Sequence, residues 1–218
     1  MIKDIKRIIC LKKTSEKYIL FTVVLVISIV IMGVLAAGIS DVGGIYVAFT
    51  IGACVYLGSA MLIKTIMIAF EVPRGLSFGM TRHKLFIWSR ILDFAELFIF
   101  FFPLVFVPNL GAAVYLKLLI LCFGVIMWIE GLAANSILRF GKIAYLAYYI
   151  LFMTGTMGIS RITDVFPGAK EQVNKFMAIT LDNDLANFSI LFTFLLFAAA
   201  GLTVNWLTFR NVSVDYAS

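Results

Sequence analysis

Long apolar runs, each near twenty residues or more and parted by short polar or basic connections, leave this chain few folds to choose from. A helix needs about 20 apolar residues to cross the ~30 Å hydrocarbon layer. In lipid the backbone must satisfy its own hydrogen bonds, so runs of this length read as transmembrane helices. The chain is 62% hydrophobic and 14% charged, where water-soluble domains carry about 25% charged residues. Its mean hydropathy of +1.05 fits no water-soluble core. The reading is an all-α membrane protein in the cell membrane. The formal charge of +6 sits mostly beside the apolar runs, as topology signals and contacts to membrane lipids do, so nucleic acid is not an expected partner.

Six spans are expected: about Tyr18–Ile39, Ile45–Phe70, Leu85–Val107, Gly111–Leu138, Ile143–Ser160 and Phe188–Phe209. Residues 1–17 precede them with six basic side chains, among them Lys12, interleaved with Ile2, Ile5, Ile8 and Ile9. That pattern predicts an amphipathic helix lying in the interface, with a plain basic tail as the alternative. The first run is too long for a cleaved signal peptide and is read as a retained helix. Pro103 should kink or end the third span, and Pro108-Asn109 should turn the chain outside, as Ser40 to Gly44 do earlier. Residues 161–187 form the long outer loop, where Val173, Phe176, Met177 and Leu181 predict a short amphipathic helix. Residues 211–218 are a C-terminal tail. The inner segments carry thirteen basic residues against three in the outer loop, which places both termini in the cytoplasm.

One connection differs from the rest. Residues 71–84, within EVPRGLSFGMTRHKLFIWSR, are basic and glycine-punctuated. Pro73 can open a short helix, Gly79 can close it and Thr81 can cap the run that follows. A rigid cytoplasmic knuckle is the expected result.

The ionisable residues singled out inside the spans are Lys64, Asp93, Glu96 and Glu130. Each costs on the order of 3 kcal/mol at mid-bilayer by insertion scales, so each demands a partner. Lys64, Glu96 and Glu130 lie roughly 10 Å from the inner ends of their helices and can meet at one level. The preferred arrangement is a cluster of Lys64 with these acids that pins the second, third and fourth spans together, with Asp93 nearer the surface beside Arg90. A proton or cation relay, or Lys64 snorkelling inward, are the alternatives. Gly33 with Ala37 and Ala48 with Gly52 predict close helix approaches. Cys10, Cys54 and Cys122 have no metal-ligand spacing and read as small buried residues, His83 as a solvated interface residue. There is no phosphate-binding loop, no catalytic pair and no cofactor motif, so ATP hydrolysis is not expected of this chain.

The stretch PRGLSFGMTRHKLFIWSRILD resembles the segment between the second and third helices of permease subunits in small Gram-positive type-2 class ABC exporters. The ending NWLTFRNVSV is similar to the way those subunits finish. The resemblance implies the type-2 permease fold, with an amphipathic entry helix, six spans, and a coupling segment at Pro73, Arg74, Gly75, Leu76, Ser77, Phe78, Gly79, Met80 and Thr81. This segment would dock on a separate cytoplasmic ABC ATPase that holds ATP and Mg. A second permease copy or a sister permease would complete the assembly. The cargo class expected from the aromatic, Met-rich interior is an amphipathic or hydrophobic peptide, lipid-like molecule or drug. A non-transporting membrane protein, such as a bacteriocin immunity protein or a scaffold, is the rival class, with a membrane-embedded enzyme third.

Overall fold

The computed structural model describes residues 2–36, 42–107, 110–165, 167–181 and 188–212, and within these the chain is helical throughout apart from short connections. Seven α-helices follow one another: α1 Ile2–Ala36, α2 Val42–Ser77, α3 Arg82–Phe101, α4 Ala112–Phe140, α5 Lys142–Val165, α6 Pro167–Leu181 and α7 Phe188–Asn211. A 3₁₀ turn, Phe102–Phe106, follows α3. Several expectations lie outside the described residues: the turns at Ser40-Asp41 and Pro108-Asn109, Ala37 of the first small-residue pair, residues 182–187 of the outer loop, and the tail from 213.

Among the described residues, four helices are long and apolar enough to cross a membrane, over Asp4–Ile31, Tyr46–Ser77, Ala112–Ile137 and Ser189–Asn211. The protein is therefore a multi-pass membrane protein. The charged α3 falls outside that set, and the apolar stretch of α5, Ile143–Gly155, is shorter.

Three boundaries differ from the sequence reading. The expected interfacial helix 1–17 and first span are one unbroken helix of 35 residues. No Gly or Pro interrupts residues 2–32, and Ile8, Leu11, Lys12, Ser15, Ile19 and Val23 form one buried stripe that turns inward along the whole stretch. Pro73 opens no new helix but sits buried inside α2. Its ring removes one intrahelical hydrogen bond, and the packing of Ile68 and Val72 with Leu85 and Phe209 carries the helix past it. The outer loop shrinks because α5 runs to Val165 and α6 starts at Pro167. Pro103 does end α3, in the first turn of the 3₁₀ segment.

Two hydrophobic clusters order the bundle. The larger joins Ile19, Val23, Tyr56, Met61, Leu97, Leu119 and Met127 at mid-height. The smaller gathers Ile8, Leu11, Val72, Met80, Leu85, Ala134, Phe209 and Val212. It brings the starts of α1 and α3 and the ends of α2, α4 and α7 to one end of the molecule. That end also carries the exposed basic residues Lys6, Arg7, Arg74, Lys84, Arg139 and Arg210.

Among the described residues, α4 and α7 make the most extensive helix–helix contact. A Cβ on Gly201 would lie 2.8 Å from Trp128 Cδ1 and 3.1 Å from the Gly124 carbonyl oxygen; one on Gly131 would lie 3.0 Å from the Asn205 backbone nitrogen. Trp128 Nε1 donates to the Phe197 carbonyl at 3.0 Å across the seam. Gly52 lets α2 approach Ile27 of α1, where a Cβ would meet Cδ1 at 2.9 Å. Cys10 and Cys54 lie on the outer surface instead of inside, and Cys122 is half-buried. Substituting Gly201→Leu should lower the thermal unfolding midpoint in detergent, at a cost of about 1–3 kcal/mol for overpacking. Gly155→Ala, where a Cβ meets nothing within 4 Å, should leave the midpoint unchanged or raise it.

Candidate functional site

Asp93 stands at the centre of the buried charge, not near the surface. Helix α3 begins at Arg82, so Arg90 and Asp93 lie more than two turns inside it. They share a face with Leu85, Ser89, Leu97 and Phe101, all buried. Asp93 Oδ1 accepts from Lys12 Nζ of α1 and from Lys64 Nζ of α2, the latter at 2.6 Å. Its Oδ2 lies 3.2 Å from Arg90 Nη1. Lys64 also reaches Glu96 Oε2 at 2.5 Å.

Glu130 does not join Lys64. It takes both terminal nitrogens of Arg90, Nη1 on Oε2 and Nη2 on Oε1 at 3.0 Å, a two-pronged carboxylate–guanidinium pair. Asn205 of α7 donates to Glu130 Oε2 at 3.2 Å and to the Met127 carbonyl at 3.3 Å. Arg90 further donates to Ser89 Oγ at 3.2 Å and has its guanidinium carbon 5.6 Å from the Phe86 ring centre. Three cations therefore face three acids, and their chain of contacts crosses α1, α2, α3, α4 and α7. Ser15 donates to Glu71 Oε1 at 2.7 Å beside it, tying α1 to α2 again. Glu16, one turn beyond Lys12, shares with Glu96 a cavity of about 220 Å³ lined also by Ile19, Leu20, Ile99 and Phe100.

The sequence reading missed Lys12, which it placed on a solvated basic face. The signal was present: Lys12 follows Ile5 and Ile8 at helical spacing, on the stripe that continues through Ser15 and Ile19. Lys117, near the start of α4, also escaped notice and is fully enclosed.

The knuckle forms by other means than expected. The end of α2 closes in a Schellman turn: Gly79, at φ +75°, donates its N–H to the Leu76 carbonyl at 2.9 Å, and Met80 donates to Gly75 at 3.3 Å. Thr81 caps α3, its hydroxyl accepting from the Lys84 N–H at 3.4 Å. Met80 is buried, and a Cβ on Gly75 would meet Leu85 Cδ2 at 2.5 Å, so the turn has no slack. Arg82 Nη1 donates to the carbonyls of Arg210 and Val212, the latter at 2.9 Å, which fastens the knuckle to the end of α7. His83 rests edge-on against Trp206, ring centres 5.6 Å apart. Arg74, Ser77 and Phe78 remain exposed at the tip.

Among the described residues, no group of three His, Cys, Asp or Glu side chains could hold a metal ion. Replacing Glu130→Leu alone should destabilise the protein by about 3–5 kcal/mol, because Arg90 is left buried without its main partner. Arg90→Met together with Glu130→Leu should recover more than half of that loss. Denaturant midpoints of the two single variants and the double variant, each measured in the same detergent, check the non-additivity.

No family model matches the chain, and no curated protein or solved structure is significantly similar to it.

Proposed function

We propose that the chain is the transmembrane permease subunit of an ATP-driven exporter of the type-2 ABC class. The observation that carries this reading is the knuckle between α2 and α3. A mere connection between two helices needs neither a Schellman turn, a side-chain cap nor an arginine strut to a third helix, whereas a surface that receives a push does. Its exposed Arg74, Ser77 and Phe78 would contact a cytoplasmic ABC ATPase, with Gly75, Leu76, Gly79, Met80 and Thr81 holding the turn rigid behind them. The docking element is then the stiff end of α2 and its turn, in place of a separate helix started by Pro73.

The meeting of helix ends at one end of the bundle supports a reading of six crossings with both termini on the cytoplasmic face. Helix α3 starts at the basic end and the spanning α4 returns to it, so α3 with its 3₁₀ turn would lead the chain across. Helix α5 leaves from that end at Lys142 and the spanning α7 comes back. The clustering of basic residues there supports its assignment to the cytoplasm.

The sequence has no phosphate-binding loop, so the energy for transport would come from ATP and Mg held by the partner ATPase. Closure of an ATPase pair would press two knuckles and rock two permease chains between inward-open and outward-open arrangements, a rigid-body change. The pairing would be with a second copy or a sister permease. The cargo that suits an interior rich in Phe and Met is an amphipathic or hydrophobic peptide, lipid-like molecule or drug.

Affinity purification of the tagged chain from its native membrane in mild detergent should bring down a stoichiometric ATPase. Phe78→Asp with Arg74→Glu, both at exposed positions, should abolish that association while the permease keeps its unfolding midpoint. Recovery of the chain without an ATPase under several gentle conditions would sink the exporter reading in favour of an immunity or scaffold protein.

A further inference from the structure

Helices α4 and α5 part as they leave the corner at Gly141, and a groove of about 620 Å³ opens between them. Gly141, at φ +60°, makes the corner by adopting a backbone that other residues rarely take. The groove is walled by one face of each helix: Ile129, Leu132, Ala133, Ser136 and Phe140 on α4, and Ile143, Ala144, Ala147, Tyr148 and Leu151 on α5. Its polar groups are turned elsewhere. Ser136 Oγ donates to the Leu132 carbonyl of its own helix, and Tyr148 donates to the Met61 carbonyl of α2 at 2.9 Å. What is left is an open apolar trough.

Two features of the trough name its occupant. From Phe140 to Ile129 it runs eleven residues along α4, roughly 17 Å at helical rise, which is close to half of the ~30 Å hydrocarbon layer. It therefore reaches the depth of one leaflet. Its mouth lies at the basic end of the bundle, where Arg139 is exposed one residue before Phe140. A slot one leaflet deep with the exposed Arg139 next to Phe140 at its end matches a phospholipid with an acyl tail below and a negative headgroup above.

We propose that the α4–α5 groove is a specific site for an anionic phospholipid, one acyl chain lying between Leu132, Ala133, Ala144 and Ala147 and the headgroup meeting Arg139. The small side chains Ala133, Ala144 and Ala147 make the room. Exposed Phe140 and Ile143 flank the chain where it enters. The site is independent of the exporter reading, since it requires only that the chain lies in a bilayer.

Native mass spectrometry of the full chain, taken from detergent micelles doped with equal amounts of phosphatidylglycerol and phosphatidylcholine, tests the site. The expected result is retention of phosphatidylglycerol in preference to phosphatidylcholine. Ala147→Phe, which fills the trough at an exposed position, should remove the retained lipid. Arg139→Gln leaves the trough open and should cut the preference for phosphatidylglycerol by about fivefold, the effect of one basic side chain at a membrane surface. Arg139 is exposed and belongs to neither the charge network nor the knuckle, so this variant keeps the test decisive should Ala147→Phe fail to fold. Equal retention of the two lipids by the unaltered chain overturns the proposal. So does undiminished phosphatidylglycerol on folded Ala147→Phe, or a lipid-free dimer held through the α4–α5 face.

Discussion

A charge inside a bilayer must meet its opposite, and the whole arrangement of this bundle follows from where Asp93 meets its three cations. Helix packing in lipid lacks the hydrophobic drive that assembles soluble bundles, because the surroundings are as apolar as the side chains. Van der Waals contact selects no unique register among smooth apolar helices. The carboxylate of Asp93 does: Lys12 fixes how far α1 is pushed in, Lys64 fixes α2, and Arg90 hands the constraint to Glu130 on α4 and, through Asn205, to α7. A slip of one residue in any of these helices would turn a charge toward lipid at a cost of several kcal/mol. The network need not add much net stability to impose this register.

The second constraint is steric. Along the α4–α7 seam, glycines at 124, 131 and 201 let the helices approach until backbone touches side chain, and the Trp128 indole bonds a carbonyl across the gap. Thr208 Oγ1 donates to the Gly131 carbonyl at 2.7 Å lower on the same seam. These two helices behave as one unit, and Arg82 ties the knuckle to it. The open groove lies on another flank of α4, between it and α5.

Much of this was legible in the residues. The apolar runs gave the helices, Gly79 and Thr81 gave the helix stop and start at the knuckle, and Pro103 gave the end of α3. The need for Lys64, Glu96 and Glu130 to be paired was readable from the cost of burying them. Which acid takes which cation was not, because pairing depends on helix rotation and packing depth, which residue spacing along one helix leaves open. Lys12 was hidden by its company: five other basic residues around it made a solvated face the natural reading, although its spacing from Ile8 marked it as inward. Pro73 was misjudged because its local preference was outweighed by the burial of Ile68 and Val72 on either side of the turn it disturbs.

The bond between Lys12 and Asp93 spans 81 residues of sequence, and this has a consequence for how the protein is made. A ribosome adding ~5–20 residues per second needs roughly 4–16 s to produce the partner after the lysine itself. During that interval the ammonium group must stay in water or among lipid headgroups, so α1 cannot settle to its final depth when it first enters the bilayer. Its insertion is completed only when α3 arrives, which makes the first three helices a single unit of membrane biogenesis.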